Sequence, residues 1–307
     1  MPTALESLSN DLAGAVERAG ESVVAIHARR RIPASGVVWR QGLVVAADHT
    51  IHKEDDIRIS LSSGTDLRAR VIGRDPGTDL CLLRLPEDAR AAAAALSREP
   101  LRAGQLAITV GRPGDTATAS LGVVSVAGPE WRTWRGGRID QFIRLDVPVY
   151  DGFSGSPLVN ASGQTAGICT SGLARGAPVA VPAITVDRVV DQLLTSGGTT
   201  RRGFLGIGTQ PVPLPDALRE RVGTVGGRVP TAGLMVVAVQ PGTAADRAGI
   251  LLGDLIVALG GELMEDARDV FAALGPESIG QELRATVIRA GAPITITVTV
   301  DEHPARS

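Results

Sequence analysis

The stretch DGFSGSPLVN, residues 151–160, places one serine inside a turn of small residues. Gly152 lies two positions before Ser154, Gly155 follows it directly, and Pro157 opens an apolar strand. A turn of this kind either joins two strands in the ordinary way or presents the hydroxyl as a nucleophile. The rest of the chain distinguishes these two interpretations.

Short apolar runs broken by Gly, Pro or Asp extend on both sides of this turn, over residues 36–186. Many short strands at even spacing predict a pair of β-barrels or a β-sandwich. One amphipathic helix is predicted before them, at residues 4–19, and another after them, at residues 186–196. The stretch GGTTRR, residues 197–202, is the best candidate for a linker.

Strand and helix patterns begin again after this linker, in a segment of about a hundred residues, which is the size of one domain. The mixture of strands and helices in it predicts an α+β module. The predicted organisation is an N-terminal helical segment at 1–21, a β-rich domain at 22–186, a helix with its linker at 187–202 and an α+β domain at 203–303.

The composition is that of an ordinary globular protein without a strongly charged surface. The chain has 307 residues, 44% of them hydrophobic, with 31 Lys and Arg against 33 Asp and Glu. Because acids and bases are interspersed, we expect neither a nucleic-acid surface nor a polybasic membrane patch. Cys81 and Cys169 lie in apolar runs without a neighbouring Cys or His at ligand spacing, so we predict buried thiols, no metal and no cofactor.

The first twenty residues carry Glu6, Asp11 and Glu17, and these acids interrupt any apolar run of signal-peptide length. No stretch of the chain approaches the length of a transmembrane helix. The sequence as written therefore predicts a cytoplasmic protein with no membrane segment. The cell envelope is the alternative if the N-terminus is truncated.

A serine nucleophile needs a base, and the chain has four histidines. His27 lies in a predicted strand followed by arginines, and His303 lies in the C-terminal tail. His49 directly follows the apolar strand GLVVAA, which gives a base a fixed position. His52 stands among charged residues and is expected to be a solvated surface histidine. His49 is therefore preferred over His52 as the base.

The carboxylate that orients the base should be buried or nearly so. Asp79 enters the apolar strand LCLLRL, whereas Asp75 precedes Pro76 and is typical of a turn. Asp79 is therefore the better candidate, with a turn-capping role as the alternative. The order His, Asp, Ser, with each residue at a strand edge, favours a nucleophile at Ser154 over an ordinary turn.

The same turn supplies candidate donors for an oxyanion. The backbone N–H groups of Gly152 and Ser154 can point at one oxygen, and each such donor contributes on the order of 3 kcal/mol to transition-state stabilisation. Gly155 is expected to let a substrate backbone approach closely.

Three motifs make the chain resemble the HtrA (Deg) family of chymotrypsin-fold serine proteases with a C-terminal PDZ domain. GLVVAADHTI resembles the family's strand that ends at the histidine, DPGTDLCLLRL its aspartate motif, and DGFSGSPLVNASGQTAGI its serine motif. The resemblance keeps the order of the motifs and implies that His49, Asp79 and Ser154 are the catalytic residues.

The fold that this resemblance implies is mostly β, with two six-stranded β-barrels of chymotrypsin type followed by a small α+β PDZ domain. GAPVAVPAI resembles the strand that pairs with substrate and lines the primary specificity pocket. The resemblance therefore implies that Val179, Ala180 and Val181 bind substrate. Because this strand is small and apolar, we expect cleavage after small aliphatic residues.

RGFLGIG, residues 202–208, resembles the carboxylate-binding loop of PDZ domains. The resemblance implies peptide binding by Phe204, Leu205, Gly206 and Ile207. Backbone N–H groups of the last three would capture a terminal carboxylate, and the strand edge would accept the peptide as an added strand.

The activity implied by the resemblance is that of an ATP-independent serine endopeptidase that degrades unfolded or damaged proteins through an acyl-enzyme. The expected partners are unfolded protein substrates and peptide C-termini. A homo-oligomer is also implied, although the aromatic residues that often pin the family's trimer are not evident near the N-terminus. The alternative is a catalytically inactive relative, a peptide-binding adaptor or chaperone in which Phe153 spoils the oxyanion loop.

Overall fold

In the computed structural model, which describes residues 3–29, 32–174, 178–198 and 203–302, the short apolar runs close into two six-stranded barrels. The strands of the first barrel pair in the order β1-β2-β3-β6-β5-β4 and alternate side chains between its interior and its exterior. They are β1 Val23–His27, β2 Ala34–Arg40, β3 Leu43–Ala47, β4 Ile57–Ser60, β5 Asp66–Asp75 and β6 Leu80–Arg84. A short 3-10 helix, Asp48–Thr50, follows β3.

The second barrel pairs its strands in the order β11-β14-β13-β12-β7-β8. Its strands are β7 Leu106–Gly111, β8 Thr118–Ala127, β11 Ile143–Asp146, β12 Pro157–Val159, β13 Thr165–Thr170 and β14 Val179–Pro182, and a small hairpin of β9 Trp131–Arg132 and β10 Arg138–Ile139 interrupts the series. Aliphatic side chains fill both barrels, and each fully buried Leu, Ile or Val contributes roughly 1.5–3 kcal/mol.

Two helices pack on the barrels. Helix α1, Ala4–Gly20, starts with a capping box in which Thr3 and Glu6 satisfy each other's backbone N–H groups, and it buries Ala15 and Ala19. Helix α2, Ala183–Thr195, buries its apolar face in the core that also contains strands β2 and β14. The helix predicted at 186–196 thus forms part of the barrel core.

The chain divides into two compact units, Met1–Thr133 with Gly137–Thr200, and Trp134–Gly136 with Arg201–Ser307. In the second unit, a sheet has the order β16-β17-β18-β20-β21, with β19 paired to β18 and β15 paired to β22. Its elements are β15 Gly203–Phe204, β16 Ile207–Pro213, α3 Asp216–Val222, β17 Ala232–Val239, α4 Ala244–Ala248, β18 Leu255–Leu259, β19 Glu262–Leu263, α5 Ala267–Ala273, a 3-10 helix Pro276–Ser278, β20 Glu282–Arg289, β21 Ala292–Thr299 and β22 Asp301–Glu302.

The fold class expected from the resemblance is confirmed: the chain is mostly β, with two six-stranded barrels and a small α+β domain. Residues 199–202 of the predicted linker, together with His303, lie outside the described residues. Helix α3, which follows Pro215, was not predicted from the sequence. Among the described residues, none of the helices is both long and apolar enough to cross a membrane.

Candidate active site

Asp79 lies at the entrance to β6 with its side chain 2% exposed and its backbone in the left-handed region, at φ 57°. Its carboxylate accepts hydrogen bonds from the backbone N–H of His49 at 3.0 Å and from the ring Nδ1 of His49 at 2.8 Å. The hydroxyl of Thr170, at the end of β13, donates a third. Several donors therefore satisfy the oxygens of this buried side chain, which would be costly to leave without hydrogen bonds.

His49 is carried by the 3-10 helix after β3, and its ring remains partly exposed. Because a carboxylate can only accept, the contact with Asp79 requires Nδ1–H to donate, so the neutral ring has its lone pair on Nε2. The preceding Asp48 is held by Arg74, whose Nη1 donates to it at 2.6 Å. Burial raises the pKa of Asp48, and the hydrogen bond from Arg74 opposes this effect.

The other histidine and acid weighed above have different surroundings. His52 is exposed, and its Nε2 lies 3.2 Å from the carbonyl oxygen of His49. Asp75 accepts hydrogen bonds from the backbone of Gly77 and the hydroxyl of Thr78, as a turn aspartate does. The structure thus brings His49 and Asp79 into contact and gives His52 and Asp75 other partners.

Ser154 lies between β11 and β12, in a turn that presses against the first barrel. Gly155 has φ 91°, and a Cβ atom there would lie 2.1 Å from the carbonyl oxygen of Ser35 in β2. Gly155 was expected to make room for a substrate backbone. In the structure, the strand of the first barrel occupies that space, so glycine is required for packing of the two barrels.

The backbone of this turn leaves two amides free. Within the described residues, the N–H groups of Gly152 and Ser154 donate no hydrogen bond, whereas Phe153 N–H donates to the carbonyl of Tyr150 at 3.0 Å. Gly152 and Ser154 line the same cavity as His49. The turn therefore offers two unpartnered donors to an oxygen bound beside Ser154.

This cavity has a volume of about 400 Å³ and an open mouth. Its walls include Arg29, His49, Tyr150, Gly152, Ser154 and Ser171. The Ser154 hydroxyl lies 3.1 Å from the hydroxyl of Ser171 and, among the described residues, makes no hydrogen bond to His49. The residues that line the cavity thus include those that carry the hydroxyl, the imidazole and the two free amides.

Thr170, Ser171 and Gly172, which follow the serine motif, contribute to the site and were not predicted from the sequence. Thr170 bonds to Asp79, Ser171 faces Ser154, and a Cβ atom at Gly172 would lie 2.6 Å from Asp79 Oδ2. Position 172 therefore has to be glycine, because the chain passes close to Asp79 and His49 there. The available signal was the run Thr-Ser-Gly at the end of a buried strand, where small and hydroxyl residues replace aliphatic ones.

The structure buries Val179, Ala180 and Val181, whereas the resemblance implies that these residues bind substrate. They are at most 3% exposed, and β14 is paired on both sides, to β11 and β13. Among the described residues that line the cavity, Pro178 and Ala174 are the ones from this part of the chain. A strand with both edges paired cannot itself accept a peptide as an additional strand.

Phe153 points away from the cavity. Its ring is fully buried, packs edge-to-face on Tyr150 with centroids 5.5 Å apart, and occupies the space next to Gly111, where a Cβ atom would lie 3.0 Å from the ring. The side chain therefore anchors the turn through its buried ring and leaves the cleft open.

The second unit has its own candidate binding loop, residues 204–207. Leu205 and Gly206 donate no backbone hydrogen bond within the described residues, while their carbonyls accept from Ala245 and Gln240 at 2.9 and 2.8 Å. The pairing of Gly206 with Gln240 directs the N–H of Ile207 away from β17, because neighbouring residues in an antiparallel ladder alternate. Strand β16 forms an edge of the sheet, so it can accept an added strand.

Family comparisons agree with this architecture. The trypsin-like peptidase domain family matches residues 34–168, and the PDZ domain family matches residues 203–300. The solved structure of the HtrA-type protease AlgW with a decapeptide is 26% identical, with a TM-score of 0.70, and the match covers 96% of this chain and 99% of that one.

Curated relatives give the same family. A "Probable periplasmic serine endoprotease DegP-like" from Brucella suis is 33% identical over 287 residues, which are 91% of this chain and 54% of that protein. Its namesake from Chlamydia trachomatis is 31% identical over 274 residues, 87% of this chain and 53% of that protein. The chain thus spans about half the length of the curated relatives it matches.

The relatives also correct the predicted compartment. They are named periplasmic, which points to the cell envelope, so the expectation of a cytoplasmic protein is wrong. The prediction was based on the acids in the first twenty residues and on the lack of a stretch of transmembrane length, and the packing of the folded domains does not depend on the compartment. With its trypsin-like barrels, its PDZ domain and these relatives, the chain belongs to the HtrA family of serine proteases.

Proposed function

We propose that the chain is an ATP-independent serine endopeptidase that cleaves unfolded or damaged proteins. The observation that carries this proposal is the cavity in which Ser154, His49 and two unpartnered backbone amides meet, with Asp79 buried behind the imidazole. A hydroxyl, a base with a fixed tautomer and preorganised donors are the parts that acyl transfer needs.

In the proposed reaction, the Ser154 hydroxyl leaves Ser171 by rotation of its side chain and attacks a peptide carbonyl carbon. Nε2 of His49 takes the hydroxyl proton, and Asp79 stabilises the imidazolium through Nδ1. The N–H groups of Gly152 and Ser154 stabilise the negative oxygen that forms. His49 then protonates the leaving amine, and water hydrolyses the acyl-enzyme by the same sequence of proton transfers.

Substrate selection follows from the cavity walls. Val149, Ala174 and Pro178 offer apolar contacts of modest size next to Ser154. We propose that they accept a small aliphatic side chain before the cleaved bond. In the PDZ domain, the free amides of Leu205 and Gly206 and the open edge of β16 would bind a peptide C-terminus for substrate capture or regulation.

An inactive adaptor is the less supported function, because it requires Phe153 to disturb the oxyanion donors. The burial of Phe153 against Tyr150 and Gly111 argues against such a disturbance. A catalytic role is also favoured by the hydrogen-bonded pair of His49 and Asp79, which a binding module does not need.

The test is digestion of casein by the native chain and by Ser154→Ala, with and without a C-terminal peptide ligand, together with labelling by a fluorophosphonate. We expect the native chain to digest casein and to be labelled, and Ser154→Ala to do neither. Ser156→Ala removes a fully buried hydroxyl from the same turn and should still be labelled. A native chain that neither digests casein nor reacts with the probe would contradict the proposal.

A further inference from the structure

The side chain of Ser35 connects the first barrel to the turn that carries Ser154. Ser35 lies in β2 and is fully buried. Its hydroxyl donates to the carbonyl oxygen of Gly152 at 2.7 Å and accepts a hydrogen bond from the backbone N–H of Arg112 at 2.8 Å. One hydroxyl thus links two segments that lie far apart in the sequence.

The carbonyl that Ser35 holds belongs to the peptide between the two proposed oxyanion donors. The C=O of Gly152 bonds to Ser35, and the N–H of the same peptide, on Phe153, bonds to Tyr150 at 3.0 Å. Both polar groups of this peptide are therefore fixed. Gly152 has φ 93° and no side chain, so no side chain of its own restricts rotation of its backbone.

The donor on the other side of Ser35 is itself immobile. Arg112 is 5% exposed, and its guanidinium donates to the carbonyls of Val23, Gly20 and Asp115 at 2.9, 3.2 and 2.7 Å. These carbonyls lie at the end of α1, the start of β1 and the loop before β8. The Ser35 hydroxyl is thus held by a rigid part of the fold.

We propose that Ser35 is a positioning residue for the oxyanion donors, acting through the carbonyl of Gly152 and never touching substrate. This role depends on the proposed function. With the hydroxyl in place, the amides of Gly152 and Ser154 face the cavity before substrate arrives. Without it, the Gly152–Phe153 peptide can turn, and the donors no longer converge on one oxygen.

The test is Ser35→Ala, assayed with a short peptide substrate and with a fluorophosphonate. Removal of one oxyanion donor outright costs about 10²–10³ in kcat. Because Ser35→Ala only loosens the donors, we expect kcat to fall about 10- to 100-fold. We expect KM to change less than about two-fold and the labelling rate to fall with kcat. The pH profile of kcat/KM should not move, because the contact between His49 and Asp79 is unchanged.

The matched control is Ser22→Ala. Ser22 is also a buried serine, and its hydroxyl donates to the carbonyl of Ala19 at 2.9 Å. This variant should lose stability as Ser35→Ala does and keep native kcat. Should Ser35→Ala fail to fold, Ser35→Cys places a slightly larger and weaker donor at the same position and should show a smaller fall in kcat at unchanged KM.

The outcomes separate the two proposals. A native chain that neither cleaves nor is labelled overturns the proposed function and the role of Ser35 with it. An active native chain whose Ser35→Ala or folded Ser35→Cys variant keeps native kcat overturns the role of Ser35 alone. A loss in Ser35→Ala matched by Ser22→Ala, or confined to KM, also overturns that role.

Discussion

Two loops in the described part of the molecule have free backbone N–H groups that we propose to bind a negatively charged oxygen, and the two loops are held in different ways. The oxyanion loop, residues 151–154, is hydrogen-bonded to strand β2 of the first barrel through the hydroxyl of Ser35, and the buried ring of Phe153 anchors it. The carboxylate loop, residues 204–207, is held through its carbonyls, which accept hydrogen bonds from Ala245 and Gln240.

The difference follows from what each loop is proposed to bind. The charge at the oxyanion loop exists only during the reaction, so donors that must first rotate into place add their reorganisation energy to the barrier. The charge at the carboxylate loop belongs to the ligand and persists, so that loop can adjust on binding. Changes to the first loop should therefore appear in kcat, and changes to the second in peptide Kd.

The largest expected effect comes from Asp79→Asn. An amide can donate to Nδ1 of His49, which would place the ring proton on Nε2 and remove the base, so kcat should fall about 10⁴-fold. The affinity of the PDZ domain for a C-terminal peptide should stay within two-fold. Steady-state kinetics and peptide titration measure the two quantities. A comparable loss in kcat and in peptide affinity would show that the two loops do not act independently.

The next effect is expected for Gly152→Ala. A Cβ atom there would lie 2.8 Å from the carbonyl oxygen of Pro33, at a φ of 93° that side chains rarely adopt. Displacement of the donor should lower kcat about 10²–10³-fold with little change in KM.

Gly104→Ala is the matched control for Gly152→Ala. Gly104 also has a positive φ, of 87°, but has open space around it. It should lose about 1 kcal/mol of stability and keep native kcat. Equal kinetic losses in the two variants would mean that kcat reports general strain and not the position of the oxyanion donor.

A smaller effect is expected in the carboxylate loop for Gly206→Ala. A Cβ atom there would lie 2.3 Å from Thr243 Oγ1 at φ 79°. The loop should shift and peptide Kd should rise about 10-fold, which corresponds to about 1.4 kcal/mol. Cleavage of a short peptide that does not reach the PDZ domain should be unchanged. Gly223→Ala, at φ 70° in open space, is the control in the same unit and should keep native Kd.

The smallest expected effect concerns the thiol of Cys169 beneath the oxyanion loop, which should resist modification. Cys169 is fully buried, its backbone bonds to Gly155 and Ser156, and burial raises the pKa of its thiol from 9.0 to about 12. Burial also raises the pKa of Cys81. A disulfide reagent at pH 8 should therefore modify neither thiol in the native chain and both in denaturant.

The pH dependence of the stability gives a second measure of how tightly Cys169 is packed. Because the folded state raises the pKa of Cys169, the contribution of this thiol to stability is complete below pH about 9 and is lost as the pH rises toward about 12.

Fast modification of the thiol in the native chain at pH 8 would show that the strand beneath the oxyanion loop opens readily. The loop would then not be the rigid one of the pair.

The parts of the candidate site that were found in the sequence are those carried by local motifs. A histidine after an apolar strand, an aspartate entering one and a serine in a glycine turn each stand out within ten residues, and the structure brings His49 and Asp79 into contact and Ser154 into the same cavity. Ser35 and Thr170 were missed because their roles depend on hydrogen bonds to residues 117 and 91 positions away. No local pattern encodes such a contact.

The alanine run at 91–97 shows the same limit for the fold. Its composition favours a helix by intrinsic propensity, yet the segment forms no helix and makes one isolated bridge, from Leu96 to Thr165. Ala94 donates to the carbonyl of Val38, and the carbonyl of Ala95 accepts from Thr165, so neighbouring strands satisfy its backbone groups. Tertiary hydrogen bonds outweighed a propensity of a few tenths of a kcal/mol per residue.

The sequence by itself determined the succession of strands, the amphipathic helix α1, the order of His49, Asp79 and Ser154, and the small α+β domain after the barrels. These features follow from periodicity and turn chemistry, which act over a few residues. Only the tertiary structure decided that Gly155 makes room for β2, that β14 is buried between two strands, and that Ser35 holds the oxyanion loop. Those features arise from contacts between segments that lie far apart in the chain, because close packing leaves each buried backbone group few available partners.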